Sequence, residues 1–258
     1  MARSGSIRSM RSRSISGLAG SALFAASAVA VLGTLLAAPP AHGEDGWEQI
    51  SDEDGIVVWQ RPVPGTSLVE FRGKAEVKAG MKTILAVLND QKHKTEWMEN
   101  CVQNDLVRYH APGRVVVYHR IGSAFPLVDD RDVVAASKLA VFPEERRVRI
   151  DVASVEDPKA PVVDGVVRMP KLKLVWELVA VSAERTRVMY QAQADPGGSL
   201  PAWLVNTVSK KLPHNTLSRL RTQVGKDYSE SLAQVDAAYD WSTVAVADEK
   251  PAKNVATP

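Results

Sequence analysis

Between residues 55 and 195 the chain reads mainly as short strands, with one helical stretch at 80–90, and from residue 199 the apolar spacing changes to three and four. The segment 68–78 shows the strand pattern most clearly. Val69, Phe71, Gly73, Ala75 and Val77 share one face and Glu70, Arg72, Lys74 and Glu76 the other, which predicts an antiparallel strand with one side on a core. An apolar run at 55–60 predicts a short strand ending at Arg61-Pro62, and Met81, Ile84, Leu85 and Leu88 predict an amphipathic helix over 80–90. Beyond Trp97, strands are predicted at 105–110, 114–122, 131–142, 146–155, 166–168, 173–182 and 186–195. Their separators are short (Pro112-Gly113, Pro143-Glu144-Glu145, Ala183-Glu184-Arg185), as in successive hairpins of an antiparallel meander. No helices alternate with these strands, which argues against a doubly wound parallel sheet.

After the last strand, Ser199 is placed to cap a helix and Pro201 to occupy its first turn, where a missing amide costs nothing. Leu204, Val208 and Leu212, then Leu217, Leu220 and Val224, form one apolar stripe, with a kink or break expected at Pro213. The predicted class is therefore α+β: a twisted antiparallel sheet with one long C-terminal helix laid across it. The space between sheet and helix is either core or cavity, and periodicity does not distinguish the two.

The first 43 residues read differently. Arg3, Arg8, Arg11 and Arg13 precede 22 uncharged residues at 17–38, and the segment closes on Pro39-Pro40-Ala41-His42-Gly43. A basic start, an apolar middle and small residues at 41 and 43 predict a Sec-type secretory signal cleaved before Glu44. An uncleaved anchor is the competing reading, because the run is long enough to span ~30 Å of hydrocarbon. The whole chain carries 32 basic and 30 acidic residues, net +2; without the segment the balance is 28 to 30, net −2. The basic excess thus belongs to the export segment, and the protein is predicted to be periplasmic or extracellular. Residues 44–242 are predicted to form one monomeric domain, followed by a disordered tail at 243–258.

Candidate chemistry is sparse. The single cysteine, Cys101, excludes a disulfide framework and a cysteine-built zinc site, and reads as a small buried hydrophobe. His42, His93, His110, His119 and His214 show no HxH or HExxH spacing, so nothing seeds a metal site. There is no GxSxG elbow, GxGxxG loop or P-loop. Asp129-Asp130-Arg131-Asp132 places an arginine among carboxylates, which reads as local charge compensation. The near-neutral balance carries no nucleic-acid footprint, and no cofactor is implied.

Two motifs remain. Asp195-Pro196-Gly197-Gly198-Ser199-Leu200-Pro201-Ala202-Trp203-Leu204-Val205-Asn206 joins the last strand to the helix, and Phe125-Pro126-Leu127-Val128-Asp129-Asp130-Arg131-Asp132-Val133-Val134 opens a central strand. With Thr95-Glu96-Trp97 upstream and Trp176 on a later strand, they resemble the START (StAR-related lipid-transfer) domain family over about residues 47–230. The resemblance implies a helix-grip fold, a curved antiparallel sheet wrapped around the C-terminal helix and enclosing a hydrophobic cavity. It implies no catalytic step. It implies instead one small hydrophobic ligand (sterol, fatty acid or phospholipid), admitted through a gate made of the 156–164 loop and the C-terminal helix. Cavity candidates from motif position and alternation are Tyr118, Phe125, Ser137, Val152, Met169, Trp176, Tyr190, Trp203, Thr207, Val208 and Leu212. Arg131, Asp132, Asp195, Gly197, Gly198 and Pro201 are motif residues with structural roles: Asp195 accepts backbone amides at the turn, the glycines permit the reversal, and Arg131 pairs with a nearby acid. Some sterol-binding members carry a buried acidic–basic pair. Counted from Arg131-Asp132, the basic position falls on Ser137 and the acidic one near Tyr118 or Arg120, so hydroxyls replace the pair. Lys210, Lys211, Arg219 and Arg221 beside Trp203 are candidates for transient contact with an anionic membrane surface. The alternative is a cyclase- or hydrolase-like enzyme on the same scaffold, with His119, Tyr118 and Tyr190 as its acid–base candidates.

Overall fold

The computed structural model describes residues 46–123, 126 and 128–241; the export segment, Phe125 and the tail at 243–258 lie outside them. The described strands are β1 (Glu48–Glu53), β2 (Ile56–Pro62), β3 (Val69–Val77), β4 (Cys101–Ala111), β5 (Arg114–Ile121), β6 (Asp130–Phe142), β7 (Arg147–Ser154), β8 (Val166–Arg168), β9 (Lys171–Ser182) and β10 (Arg185–Asp195). The described helices are α1 (Met81–Asn89), α2 (Lys94–Trp97), α3 (Ala202–Ser209), α4 (Leu212–Gln223) and α5 (Ser229–Ala238).

The strands form one sheet in the order β1-β2-β3-β10-β9-β7-β6-β5-β4, antiparallel throughout except that β8 runs parallel to β6 off this path. The expected meander is thus correct from β4 to β7 and for β9–β10. It is interrupted because β7 pairs with β9 rather than with β8, and because β10 returns to pair with β3. That return brings Tyr190 beside Gly73 on one side and Trp176 on the other.

The alternation decides which face is buried. Leu172, Leu174, Trp176, Leu178 and Ala180 of β9 and Val188, Tyr190 and Ala192 of β10 all point into the core, as do Phe71, Ala75 and Val77 of β3. On β3, Gly73 is where α4 crosses the sheet. A side-chain carbon there would lie 2.8 Å from Pro213 Cβ and 2.9 Å from Leu217 Cδ1, so the absence of a side chain sets how closely helix and sheet approach.

The C-terminal apolar stripe keeps one face, but the helix carrying it is divided. α3 ends at Ser209, and α4 begins at Leu212 with Pro213 in its first turn, where the missing amide removes no helical hydrogen bond. α5 follows as a third segment that periodicity did not reveal. Ser199 does not cap: the residue before α3 is Pro201, with extended backbone and no side-chain cap.

Candidate functional site

Between the concave face of the sheet and the helices lies a cavity of about 290 Å³, roughly twice the ~150 Å³ of an apolar cavity that admits benzene. One strand measures its length. Arg131, Val133, Ala135, Ser137 and Leu139, alternate residues of β6, all line it, a span of roughly 26 Å at ~3.3 Å per residue. The opposite wall comes from Leu200, Leu204, Val205, Val208 and Leu212, on α3 and its flanks.

Of the predicted cavity residues, Ser137, Val152, Met169, Trp176, Tyr190, Val208 and Leu212 line this space. Trp176 and Tyr190 form its aromatic centre, with ring centroids 4.6 Å apart and Trp97 a further 6.4 Å behind Trp176. Three candidates are placed elsewhere. Tyr118 faces the other side of β5 and packs with Val134 and Ala160. Trp203 is 68% exposed on the outer side of α3, and Thr207 donates its hydroxyl proton to the Trp203 carbonyl at 2.7 Å. Phe125 lies outside the described residues.

The motif residues hold the frame. The Gly197 amide donates to Asp195 Oδ1 at 2.9 Å, and Gly197 and Gly198 adopt φ of +66° and +69°, left-handed conformations that a side chain disfavours. Asp130 and Asp132 find their ion-pair partners on other strands rather than in Arg131. Asp132, fully buried, takes Arg168 on both oxygens at 2.6 and 3.1 Å, and Asp130 pairs with Arg120 at 2.7 Å. Arg131 instead donates to the Asp129 carbonyl and turns toward the cavity, its buried Nε without a partner.

The expected hydroxyl pair is not available either. The Ser137 hydroxyl donates to Gly113 O at 2.9 Å and accepts from the Val115 amide at 3.1 Å. Tyr118 and Arg120 do not line the cavity. Among the described residues, Thr216 brings to the wall a fully buried hydroxyl without a hydrogen-bond partner.

A charge the motif count missed lies on the wall. Lys94 opens the single-turn helix α2 and is only 7% exposed. Its Nζ donates to Leu88 O at 2.6 Å and Val87 O at 3.4 Å, the last carbonyls of α1, and sits 5.0 Å above the Trp97 ring. Among the described residues no carboxylate lies within ion-pair distance of it. Burial pushes its pKa down to about 8 despite the opposing field of Asp90. Beside it His119 turns Nδ1 toward Asn104 Oδ1 at 3.2 Å and Cys101 Sγ at 3.5 Å. Burial, and then the charge of Lys94, push His119 down to about 4. Burial pushes the Cys101 thiol up to about 11, so it stays protonated, as a buried hydrophobic cysteine should. The Tyr190 hydroxyl is likewise driven up by burial.

The 156–164 loop does not line the cavity. Asp157 pairs with Arg108, Ala160 packs on Tyr118 and Val134, and Pro161 O accepts from Arg168 Nη2 at 3.0 Å. The loop is thereby fastened across the outer face of β5 and β6. α3 does line the cavity, has no fully buried residue, and is tied to the sheet by Asn206, which donates to Ser67 O at 3.0 Å and accepts from the Val69 amide at 3.1 Å.

Comparison with known proteins gives these features a family. The START domain family matches residues 34–228. An uncharacterized protein of Pseudomonas aeruginosa is 31% identical over 207 residues, covering 79% of this chain and 96% of that one. The rat phosphatidylcholine transfer protein is 23% identical over 174 residues, covering 67% of this chain and 80% of that one. Among solved structures, a STAR-related lipid transfer protein from Xanthomonas axonopodis superposes with a TM-score of 0.65 at 32% identity, over 70% of this chain and all of that one. A curved antiparallel sheet gripping C-terminal helices, the DPGG turn and the cavity between sheet and helices all agree with this placement: the chain belongs to the START domain family.

Proposed function

We propose that this protein is a non-catalytic carrier that encloses one lipid, with an anionic group of the lipid held at Lys94 and its hydrocarbon against Trp176, Tyr190 and α3. The observation that carries this is a long apolar cavity whose wall bears Lys94, a buried cation with no carboxylate partner among the described residues. Burying hydrocarbon stabilises the complex by ~0.8 kcal/mol per methylene. A phosphate or carboxylate oxygen near Nζ offsets the cost of keeping that charge out of water. The likeness to phosphatidylcholine transfer proteins supports a phospholipid.

A non-catalytic role is favoured by the state of the cavity groups. His119 and Tyr190 are both held neutral by burial, and Tyr118 is outside the cavity. For exchange, α3 is the natural gate, since Asn206 is its side-chain latch to the sheet. Trp203, Lys210 and Lys211, all exposed on or just after α3, then meet the membrane surface. Arg219 and Arg221 are engaged by Glu99 and by the carbonyls of Asp54, Gly55 and Glu76. We propose further that this activity lies outside the cytoplasmic membrane, a reading supported by the basic, apolar and small-residue pattern of residues 1–43.

The test is transfer of labelled phosphatidylcholine between donor and acceptor vesicles. The protein accelerates transfer without altering the lipid, and Asn206→Ala changes the rate of exchange more than the amount bound. No acceleration with any vesicle composition, or covalent change in the lipid, contradicts the proposal.

A further inference from the structure

The family match ends at residue 228, and α5 begins at Ser229. Although it lies beyond the match, α5 contributes to the cavity: Val235 is 2% exposed and lines it. Ser231 and Tyr239 tie α5 and the segment after it to α1 and to the Pro112-Gly113 turn; Leu85 and Leu88 of α1, this turn, and Leu139 beside it, the last cavity residue along β6, line the same cavity. The opposite end, at Arg131, is the one next to the DPGG turn and α3.

Polar contacts on two sides hold α5 in place. The Ser231 hydroxyl donates to Ala86 O at 2.9 Å and accepts from Asn89 Nδ2 at 3.1 Å, and Lys82 pairs with Asp236 at 2.8 Å. On the other side the Tyr239 hydroxyl donates to Pro112 O at 2.5 Å, and the Trp241 indole donates to Val235 O at 3.0 Å with its ring 5.5 Å from that of Tyr239. Leu232 and Val235 are the large aliphatic residues of this ten-residue helix. Such a helix gains little by docking as a hydrophobic element, and the polar contacts fix where Val235 stands.

We infer that α5 is the floor of the cavity, and that Val235 sets how long a hydrocarbon chain it admits. This rests on the lipid-carrier reading. Lys94 and His119 lie on the side wall. On β5, His119 sits between Val117 and Ile121, level with Val133 of β6. A lipid anchored there by its polar group sends a chain toward Leu139 and Val235, and the chain stops where α5 begins. Of the described residues of α5, Val235 is the one that lines the cavity, so a change of its volume changes the depth at this end while the Lys94 side chain itself is kept.

The experiment uses the full chain as wild type, Val235→Trp and Val235→Ala. Each is equilibrated with an equimolar mixture of fatty acids and phosphatidylcholines graded in chain length, and read by native mass spectrometry. Val235→Trp shifts the bound population to shorter chains, each displaced methylene weakening the complex about fourfold, and Val235→Ala shifts it to longer ones. Bound lipid with the same length distribution in all three proteins, or a loss uniform across lengths, overturns the floor and leaves the carrier reading intact. Absence of bound lipid from the wild type overturns both. If circular dichroism shows Val235→Trp unfolded, the shift toward longer chains in Val235→Ala decides.

Discussion

Replacing Lys94 with Met separates the anchor from the scaffold. Met keeps most of the stem and removes the charge. The drop in the Lys94 pKa from 10.5 to about 8 corresponds to ~3 kcal/mol against carrying a charge at this site. A lowered lysine pKa means that the folded form sheds its proton first. That cost is therefore present at neutral pH and is relieved as pH rises from about 8 to 10.5. Met removes it, and also removes the two hydrogen bonds to Val87 O and Leu88 O, leaving carbonyls unsatisfied at ~1–3 kcal/mol. These effects nearly cancel, so the ligand-free variant should unfold within ~2 kcal/mol of wild type, a shift of a few degrees in Tm. Binding should respond otherwise. A unit negative charge ~4 Å from Nζ attracts it by ~4 kcal/mol at an effective dielectric of ~20. After desolvation of the headgroup, ~1.5–3 kcal/mol remains, the net range of a charge-assisted hydrogen bond. Titration calorimetry on delipidated protein should show Kd for a fatty acid or phosphatidic acid weakened roughly 10- to 150-fold, and Kd for diacylglycerol unchanged. Equal loss for charged and neutral lipids, or no loss for either, refutes the assignment of Lys94 as anchor.

Three further outcomes follow from the packing and charge. Gly73→Ala forces a carbon into contact with Pro213 and Leu217 at 2.8 and 2.9 Å, so urea unfolding should show ~1–3 kcal/mol of destabilisation from overpacking; a neutral result means α4 shifts freely on β3. Asp132→Asn leaves Arg168 facing an uncharged, fully buried partner. Because Arg168 is partly exposed, a loss near ~3 kcal/mol, the lower end of the buried-pair range, is expected by the same assay. His119, held down to about 4 from 6.5, protonates in the unfolded chain before it does in the folded one. Stability is therefore level above about pH 6.5 and falls toward pH 4 by up to ~3 kcal/mol. His119→Gln should flatten this limb of the thermal profile, and an unchanged slope assigns the acid sensitivity elsewhere.

Strand and helix positions were readable where one face is solvated, as on β3, whose segment was placed within a residue at each end. β5 was different. Its Val115-Val116-Val117-Tyr118 run has no polar alternation, because the 156–164 loop covers the outer face, so parity could not tell that His119 points inward and Tyr118 outward. On the C-terminal helices the stripe at 204, 208 and 212 already put Trp203 and Thr207 off the buried face; motif position had favoured them over periodicity. Lys94 and α5 left weaker signals. A one-turn helix has no period to detect, and Lys94 looks like one of several surface charges until the C-terminal carbonyls of α1 are seen to hold it. α5 is held by hydrogen bonds to α1 and the β4–β5 turn, contacts between residues more than a hundred positions apart that local pattern does not encode. The parallel pairing of β8 with β6 is of the same non-local kind, although β8 itself was placed at 166–168.

The central claim is that the cavity holds one lipid per chain. Full-length protein purified from its host without detergent and sprayed under native conditions tests it most directly. The account predicts a mass excess of one lipid per chain, lost on organic extraction and recovered in the extract as a molecule with an anionic group and long hydrocarbon chains. A single mass equal to the polypeptide alone, unchanged after incubation with fatty acids, phospholipids and sterols, contradicts it.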